Sequence, residues 1–143
     1  MTVPVWMLLG FAAWPVILLL ATVGVYRWTR ILTGRVPIRD FRADQVEGDD
    51  WYRRAMRAHA NCIENLPVFG AVVLALYVGG VRDPAANYLS IIVLVARVMQ
   101  SLTHVCFVQT NAVVSVRFAF FLVQLVSFLS LTVMVVRQVG LTW

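Results

Sequence analysis

The residues best suited to chemistry lie in a polar stretch, residues 53–67, that leads directly into an apolar run. At about 100° per residue of helix, five of its side chains fall within one sector of about 100°. They are Arg54, Arg57, Asn61, Glu64 and Asn65, whereas His59 lies on roughly the opposite side. Guanidinium groups bind carboxylates through paired hydrogen bonds, and a carboxylate beside amides can bind an ammonium or a peptide amide. We therefore expect this face to bind a small, peptide-like ligand that carries both charges.

Two later apolar segments carry further polar side chains on one helical face. These stripes are Arg97, Gln100, Ser101 and His104, followed by the sparser set Arg117, Gln124 and Ser127. A charged residue at the centre of a membrane helix costs roughly 2.5–3.5 kcal/mol on insertion scales, so the stripes indicate a buried site or a helix–helix contact. A structural role stays open, because polar bonds between membrane helices contribute about 0.6 kcal/mol on average. Arg53, Arg54 and Arg117 also lie near enough to span ends to reach the interface as anchors.

The composition is that of a membrane protein. Of 143 residues, 61% are hydrophobic and only 13% are charged, against about 45–50% and about 25% in soluble domains. All 12 basic residues are arginine, and because they flank apolar runs the formal charge of +5 indicates membrane topology and not nucleic-acid binding. The two cysteines, Cys62 and Cys106, form no CxxC pair, and the sequence holds no metal-ligand spacing. We expect buried thiols and no metal site.

Four apolar segments are each near the ~20 residues that cross the hydrocarbon core as a helix. They cover about residues 5–26, 63–81, 85–108 and 112–136, with a polar loop at 29–50. The first segment lacks a basic leader and exceeds a signal-peptide core in length, so we expect it to be retained. Tight connections follow the second and third segments, which makes successive helices antiparallel neighbours. The sequence thus predicts an all-α integral membrane four-helix bundle, a single domain over residues 1–143.

The arginines also predict how the chain is oriented in the membrane. Most of them surround the first loop: Arg27, Arg30, Arg35, Arg39, Arg42, Arg53 and Arg54. Only Arg82 and Arg137 lie at the opposite ends of the predicted helices. By the positive-inside rule, the first loop faces the cytoplasm and both termini face outward. We expect a multi-pass protein of the bacterial inner membrane.

The polar stretch resembles the second-helix signature of the MAPEG family, membrane-associated proteins of eicosanoid and glutathione metabolism. That signature reads roughly Arg-Ala-His/Gln-x-Asn-x-x-Glu-x-x-Pro, and the matching residues are Arg57, Asn61, Glu64 and Pro67. The chain length, the four spans, the polar first loop and Arg97 in the third helix agree with the same family. The resemblance implies a homotrimer that binds glutathione between adjacent protomers toward the cytoplasm. It further implies glutathione contacts from Arg57, Asn61, Glu64 and Arg97, and a weaker one from Arg54.

The chain departs from the catalytic members of that family at several positions. Those members usually have a phenol one helical turn after the glutamate or on the third helix; Asn65 and His104 stand there instead and join the candidate glutathione-binding residues. They also carry, near the start of the fourth helix, an arginine that activates the glutathione sulfur, which is missing here at the expected place. Ser115 and Arg117 are the only candidates left to orient a thiolate.

The leading functional hypothesis is a membrane glutathione-dependent transferase or peroxidase acting on lipophilic electrophiles. Glutathione would enter from the cytoplasm, and the lipophilic substrate would come from the bilayer lipids. The alternative is a non-catalytic membrane binding or scaffold protein of the same fold, since the family includes a member of that kind. A small transporter-like bundle is disfavoured, because no broken-helix pair occurs at matching positions of two halves.

Overall fold

The computed structural model describes residues 1–42 and 46–140, and nearly all of them are helical. The elements are α1 (Val3–Leu18), a π-helical segment (Leu19–Gly24), α2 (Val25–Leu32), a 3-10 turn (Ile38–Asp40), α3 (Asp50–Val78), α4 (Pro84–Cys106) and α5 (Asn111–Gly140). Four stretches are long and apolar enough to span a membrane: Val3–Leu32, Asp50–Val78, Pro84–Cys106 and Asn111–Gln138. No strand occurs among the described residues. The predicted all-α membrane four-helix bundle is confirmed.

At the first-loop end of the bundle, the helices continue beyond the apolar runs of the sequence. The first span reaches Leu32, and α3 begins at Asp50, well before residue 63 where its apolar run starts. Once a helix is nucleated, each further residue adds a backbone hydrogen bond, so polar residues can prolong it outside lipid. The polar stretch is consequently helical throughout, and its side chains keep a fixed phase relative to the rest of α3.

Aromatic and charged contacts hold the beginning of α3 against α2. The rings of Tyr26 and Tyr52 stack with centroids 4.2 Å apart, and Arg27 Nε donates to the Tyr52 hydroxyl at 2.7 Å. Arg30 pairs with Asp49 at 2.7 Å, and the Asp49 N–H donates to the Tyr26 hydroxyl at 3.1 Å. Stacked and edge-on aromatic pairs contribute about 0.5–1.5 kcal/mol beyond their buried area. These contacts fix the position of the polar half of α3 relative to α2.

The connection between α3 and α4 explains why these two helices are antiparallel neighbours. Gly80 adopts a φ of 64°, a conformation that disfavours residues with a Cβ. Its N–H, together with that of Val81, donates back to carbonyls of the last turn of α3 at 3.3 and 3.0 Å, which is a Schellman ending. The Asp83 side chain then accepts from the N–H of Ala85 at 2.8 Å and caps α4.

Phe69 of α3 lies at the centre of the apolar core. Its ring is 5.2 Å from that of Phe11 in α1 and 5.8 Å from that of Phe128 in α5. A second buried cluster lies toward the first loop and consists of Leu18, Val23, Tyr52, Ala55, Ala58, Cys62 and Val105. Large apolar side chains also cover much of the outer surface, as expected for helices that face lipid.

Removing the central ring should destabilise the bundle. Phe69→Ala leaves a cavity between three spans, which we expect to lower the free energy of unfolding by about 3 kcal/mol. Leu74→Ala serves as the matched control, because Leu74 is exposed on the same helix. Denaturant titration in detergent micelles measures both variants. Equal losses for the two would contradict the assignment of Phe69 to the core.

The two cysteines should differ sharply in reactivity. Cys62 is fully buried, with 0% of its surface accessible, whereas Cys106 is exposed at the end of α4, so the expectation of a buried thiol is wrong for Cys106. Treatment of the folded protein with N-ethylmaleimide should therefore give one adduct by mass spectrometry, and denatured protein should give two. Cys106→Ser should leave the folded protein unmodified. Rapid double labelling of the folded wild type would contradict the packing of α3 against α4.

Candidate functional site

A cleft of about 420 Å³ opens at the first-loop end of the bundle, where α3, α4 and α5 meet. Its lining residues are Arg57, Asn61, Gln100, His104, Gln109, Val114, Arg117, Phe118 and Phe121. The antiparallel order brings the first half of α3, the last turns of α4 and the first turns of α5 to this place. Four of the residues predicted from sequence therefore come together: Arg57, Asn61, His104 and Arg117.

Arg117 and His104 form a direct contact across the cleft floor. Arg117 Nη1 lies 2.8 Å from His104 Nδ1. A guanidinium can only donate, so in this contact Nδ1 accepts and the proton of the neutral imidazole is on Nε2. The pair joins α4 to α5 and leaves the rest of the Arg117 guanidinium available to a ligand in the cleft.

Gln100 and Gln124 form a second link between the same helices. Gln124 Nε2 donates to Gln100 Oε1 at 3.0 Å, and Gln100 Nε2 donates to the main-chain carbonyl of Arg117 at 3.2 Å. Gln100 lines the cleft, whereas Gln124 lies behind it and is 1% exposed. Both belonged to the polar stripes of the sequence, but neither was among the candidate site residues. The helical phase of Gln100 and Gln124, which places each on a polar stripe, was the signal that could have identified them as candidates.

Arg97 does not line the cleft. It is 0% exposed, its Nη1 donates to the Asn61 carbonyl at 3.3 Å, and its guanidinium carbon lies 5.4 Å from the centre of the Phe11 ring. Its Nε and Nη2 have no partner among the described residues. Beside it, Cys62 Sγ lies 3.2 Å from the hydroxyl of Ser101. Within one chain, Arg97 therefore lies behind Asn61 as seen from the cleft, and it supports the turn of α3 that carries Asn61.

The remaining predicted residues also lie outside the cleft of the single chain. Glu64 is exposed. Asn65 Nδ2 donates to the carbonyl and side-chain oxygens of Asn61 at 2.9 and 3.3 Å. Arg54 pairs with Asp50 one turn earlier, and the exposed Ser115 hydroxyl donates to the Asn111 carbonyl at 2.9 Å. Asn65 thus supports a cleft residue, while Ser115 is bonded within its own helix.

Both polar and apolar side chains line the cleft. Arg57 and Arg117 supply permanent positive charge, Asn61 and Gln100 supply amide groups, and Phe118 forms part of the apolar wall contributed by α5. The aromatic wall was missed from sequence, because its side chains cannot be told from lipid-facing ones by hydrophobicity alone. In the described part of the chain, no cluster of histidine, cysteine and carboxylate side chains could hold a metal ion.

Comparison with known proteins identifies the family of the chain. The model of the MAPEG family matches residues 4–137, nearly the whole chain. No curated protein and no solved structure matches the chain. The family match includes the polar stretch of α3, both helices that complete the cleft and the connections between them. The chain therefore belongs to the MAPEG family and is an integral, multi-pass membrane protein of the glutathione and eicosanoid metabolism type.

Proposed function

We propose that the protein is a membrane-bound, glutathione-dependent transferase or peroxidase that acts on lipophilic electrophiles. The observation that carries the proposal is the cleft, which combines the guanidinium groups of Arg57 and Arg117 with the aromatic side chains of Phe118 and Phe121. A polar thiol peptide and an apolar second substrate need opposite surroundings. A cleft lined by both charged and aromatic side chains can hold both within reach of each other.

The polar groups suit the chemistry of glutathione. This tripeptide carries two carboxylates, one ammonium, two amides and a thiol. Arg57 offers a carboxylate paired, charge-assisted hydrogen bonds, and Asn61 and Gln100 can bind the amides. The ammonium requires an acid, and Glu64 is the nearest candidate along the same face of α3. Glu64, however, is exposed and does not line the cleft of a single chain.

The exposure of Glu64 supports a site shared between copies of the chain. Counted back from Val78, the ~20 residues needed to cross the hydrocarbon core reach His59, so Glu64 lies inside it. A carboxylate that faces lipid is unfavourable, and acidic residues in spans almost always face protein or a water-filled cavity. A second copy packed on this face would cover Glu64 and close the cleft. We therefore propose a homotrimer with glutathione between adjacent copies.

Arg117 is the better of the two candidates for activating the thiol. It lines the cleft, whereas Ser115 does not. A nearby positive charge favours the thiolate form. The thiolate sulfur would form a bond to the electrophilic carbon as the leaving group departs with its electron pair, and the thiol proton would pass to water. The apolar wall supplied by Phe118 and Phe121 would hold the lipophilic part of the electrophile beside the sulfur.

The orientation in the membrane follows the same proposal. Arginines concentrated around the first loop favour a cytoplasmic position for that end of the bundle, and the cleft opens there. Glutathione would then reach the site from the bacterial cytoplasm. Both termini would lie on the other side of the inner membrane. The lipophilic substrate would arrive laterally from the bilayer lipids.

One observation favours the second candidate, a non-catalytic binding or scaffold protein. Among the residues that the structure describes, no phenol and no other hydroxyl lines the cleft, and Asn65 and His104 stand where the catalytic relatives usually have a phenol. In a non-catalytic protein, Arg57 and Asn61 would still bind the ligand, but no reaction would follow. The two candidates therefore share a binding site and differ in what Arg117 does to the sulfur.

Glutathione binding should depend on both charged groups of α3. Arg57→Ala and Glu64→Ala should each weaken binding more than tenfold, about 1.4 kcal/mol, because each leaves one charged end of the ligand unpaired. Arg53→Ala is the matched control, since its exposed side chain makes no hydrogen bond or ion pair with the described residues. Isothermal titration calorimetry in detergent measures all three. Normal binding by both α3 variants would mean that the polar face is structural.

Turnover separates the enzyme from the scaffold. The purified protein should conjugate glutathione to a generic aryl halide, and Arg117→Met should reduce the rate about a hundredfold while the protein stays folded. Absorbance of the conjugate follows the reaction. Binding without turnover across several electrophiles and a lipid hydroperoxide would exclude the enzyme and leave the scaffold. Absence of glutathione binding would exclude both.

A further inference from the structure

Gln124 is an amide buried in the middle of the membrane helix α5. Only 1% of it is exposed, and it lies outside the cleft. Polar side chains inside a membrane span are unfavourable unless they are bonded, and they tend to mark functional regions. The side chain of Ser127, one turn further along, satisfies itself by donating to the Val123 carbonyl of its own helix at 2.8 Å. Gln124 donates both to its own helix and across to α4, and its Oε1 has no partner among the described residues.

The bonds of Gln124 have a defined direction. Its Nε2 donates to the Phe120 carbonyl at 2.9 Å and to Gln100 Oε1 at 3.0 Å. Gln100 then donates through Nε2 to the Arg117 carbonyl at 3.2 Å. Because a carbonyl only accepts, the main chain at Phe120 and Arg117 fixes the orientation of both amides. The chain of bonds thus runs from the buried middle of α5, through α4, to the turn that bears Arg117.

The two contacts between α4 and α5 are geometrically connected. Gln100 and His104 are one turn apart on α4, and both contact Arg117. The main-chain carbonyl of Arg117 accepts a hydrogen bond from Gln100, and the guanidinium of Arg117 contacts His104. If Gln124 did not hold the Gln100 amide, that amide would be free to rotate away from Arg117. The turn of α5 that bears Arg117 would then lose its anchor to α4, and the contact with His104 would loosen.

We infer that Gln124 is a positioning residue, which acts through Gln100 to hold the Arg117 guanidinium against His104 in the cleft. The inference deepens the proposed function, because it rests on Arg117 being the group that meets the glutathione sulfur. Gln124 itself touches neither substrate. A residue that merely joined helices would stabilise the bundle without influencing the Arg117 side chain.

Nuclear magnetic resonance of the two histidines tests the geometry without any substrate. The imidazole nitrogen shifts of His104, assigned by comparison with His104→Gln, report whether Nδ1 accepts a hydrogen bond. Gln124→Met keeps the volume of the side chain, and Gln124→Asn keeps an amide that is too short to reach Gln100. Both variants should move the chemical shift of His104 Nδ1 toward its value in Arg117→Met. The control Ser127→Ala should leave it at the wild-type value. A wild-type Nδ1 shift in either folded Gln124 variant overturns the inference.

Kinetics of the full-length protein provide the second arm. Gln124→Met and Gln124→Asn should lower kcat for glutathione conjugation about tenfold, because misplacement affects the reacting group. Each should weaken glutathione binding less than Arg57→Ala does, since the only binding group that they loosen is the Gln100 amide. An unchanged kcat in either variant overturns the inference, as does an equal loss in Ser127→Ala. Wild-type protein that binds no glutathione would refute the proposed function, and the histidine shifts would still decide whether Gln124 positions Arg117.

Discussion

The structure depends on one constraint: inside the bilayer, a polar side chain is costly unless it forms hydrogen bonds within the protein. Short side chains meet it locally, each hydroxyl donating to a carbonyl one turn back, as do Thr22, Ser90, Ser101, Thr103, Ser127 and Thr132. The long side chains of Arg97, Gln100 and Gln124 reach a neighbouring helix instead. The cross-helix bonds therefore concentrate where α3, α4 and α5 enclose the cleft.

The sequence predicted the architecture well because lipid imposes strong rules on it. Apolar length gave four spans, and helical phase correctly grouped Arg57 with Asn61 on one face. Phase could not say which neighbour each polar residue would meet, since Arg97 and Gln100 share a stripe yet one lies behind the cleft and the other lines it. The start of α3 was equally hidden, because it depends on the Tyr26–Tyr52 stack between residues far apart in the chain.

Arg97 shows why a polar stripe has more than one role. Its burial against Phe11 and the Asn61 carbonyl makes it a support for the turn that presents Asn61. Two of its nitrogens lack partners among the described residues, and a buried donor left unbonded is unfavourable by about 1–3 kcal/mol. Because Arg97 is fully buried and does not line the cleft, a ligand or a second copy would reach those donors only after the bundle rearranged, and the expected direct contact with glutathione stays a prediction.

The single chain exposes two opposite kinds of surface. Glu64 exposes a carboxylate at a depth where lipid surrounds the helix, while Phe118 exposes an aromatic ring beside permanently charged Arg117. Lipid is a favourable environment for the Phe118 ring but not for the Glu64 carboxylate. A soluble ligand suits the carboxylate but not the ring. The proposed neighbouring copy would satisfy both by covering Glu64 while it left Phe118 open to the bilayer. That arrangement would also let a charged and an apolar molecule reach the cleft from different phases.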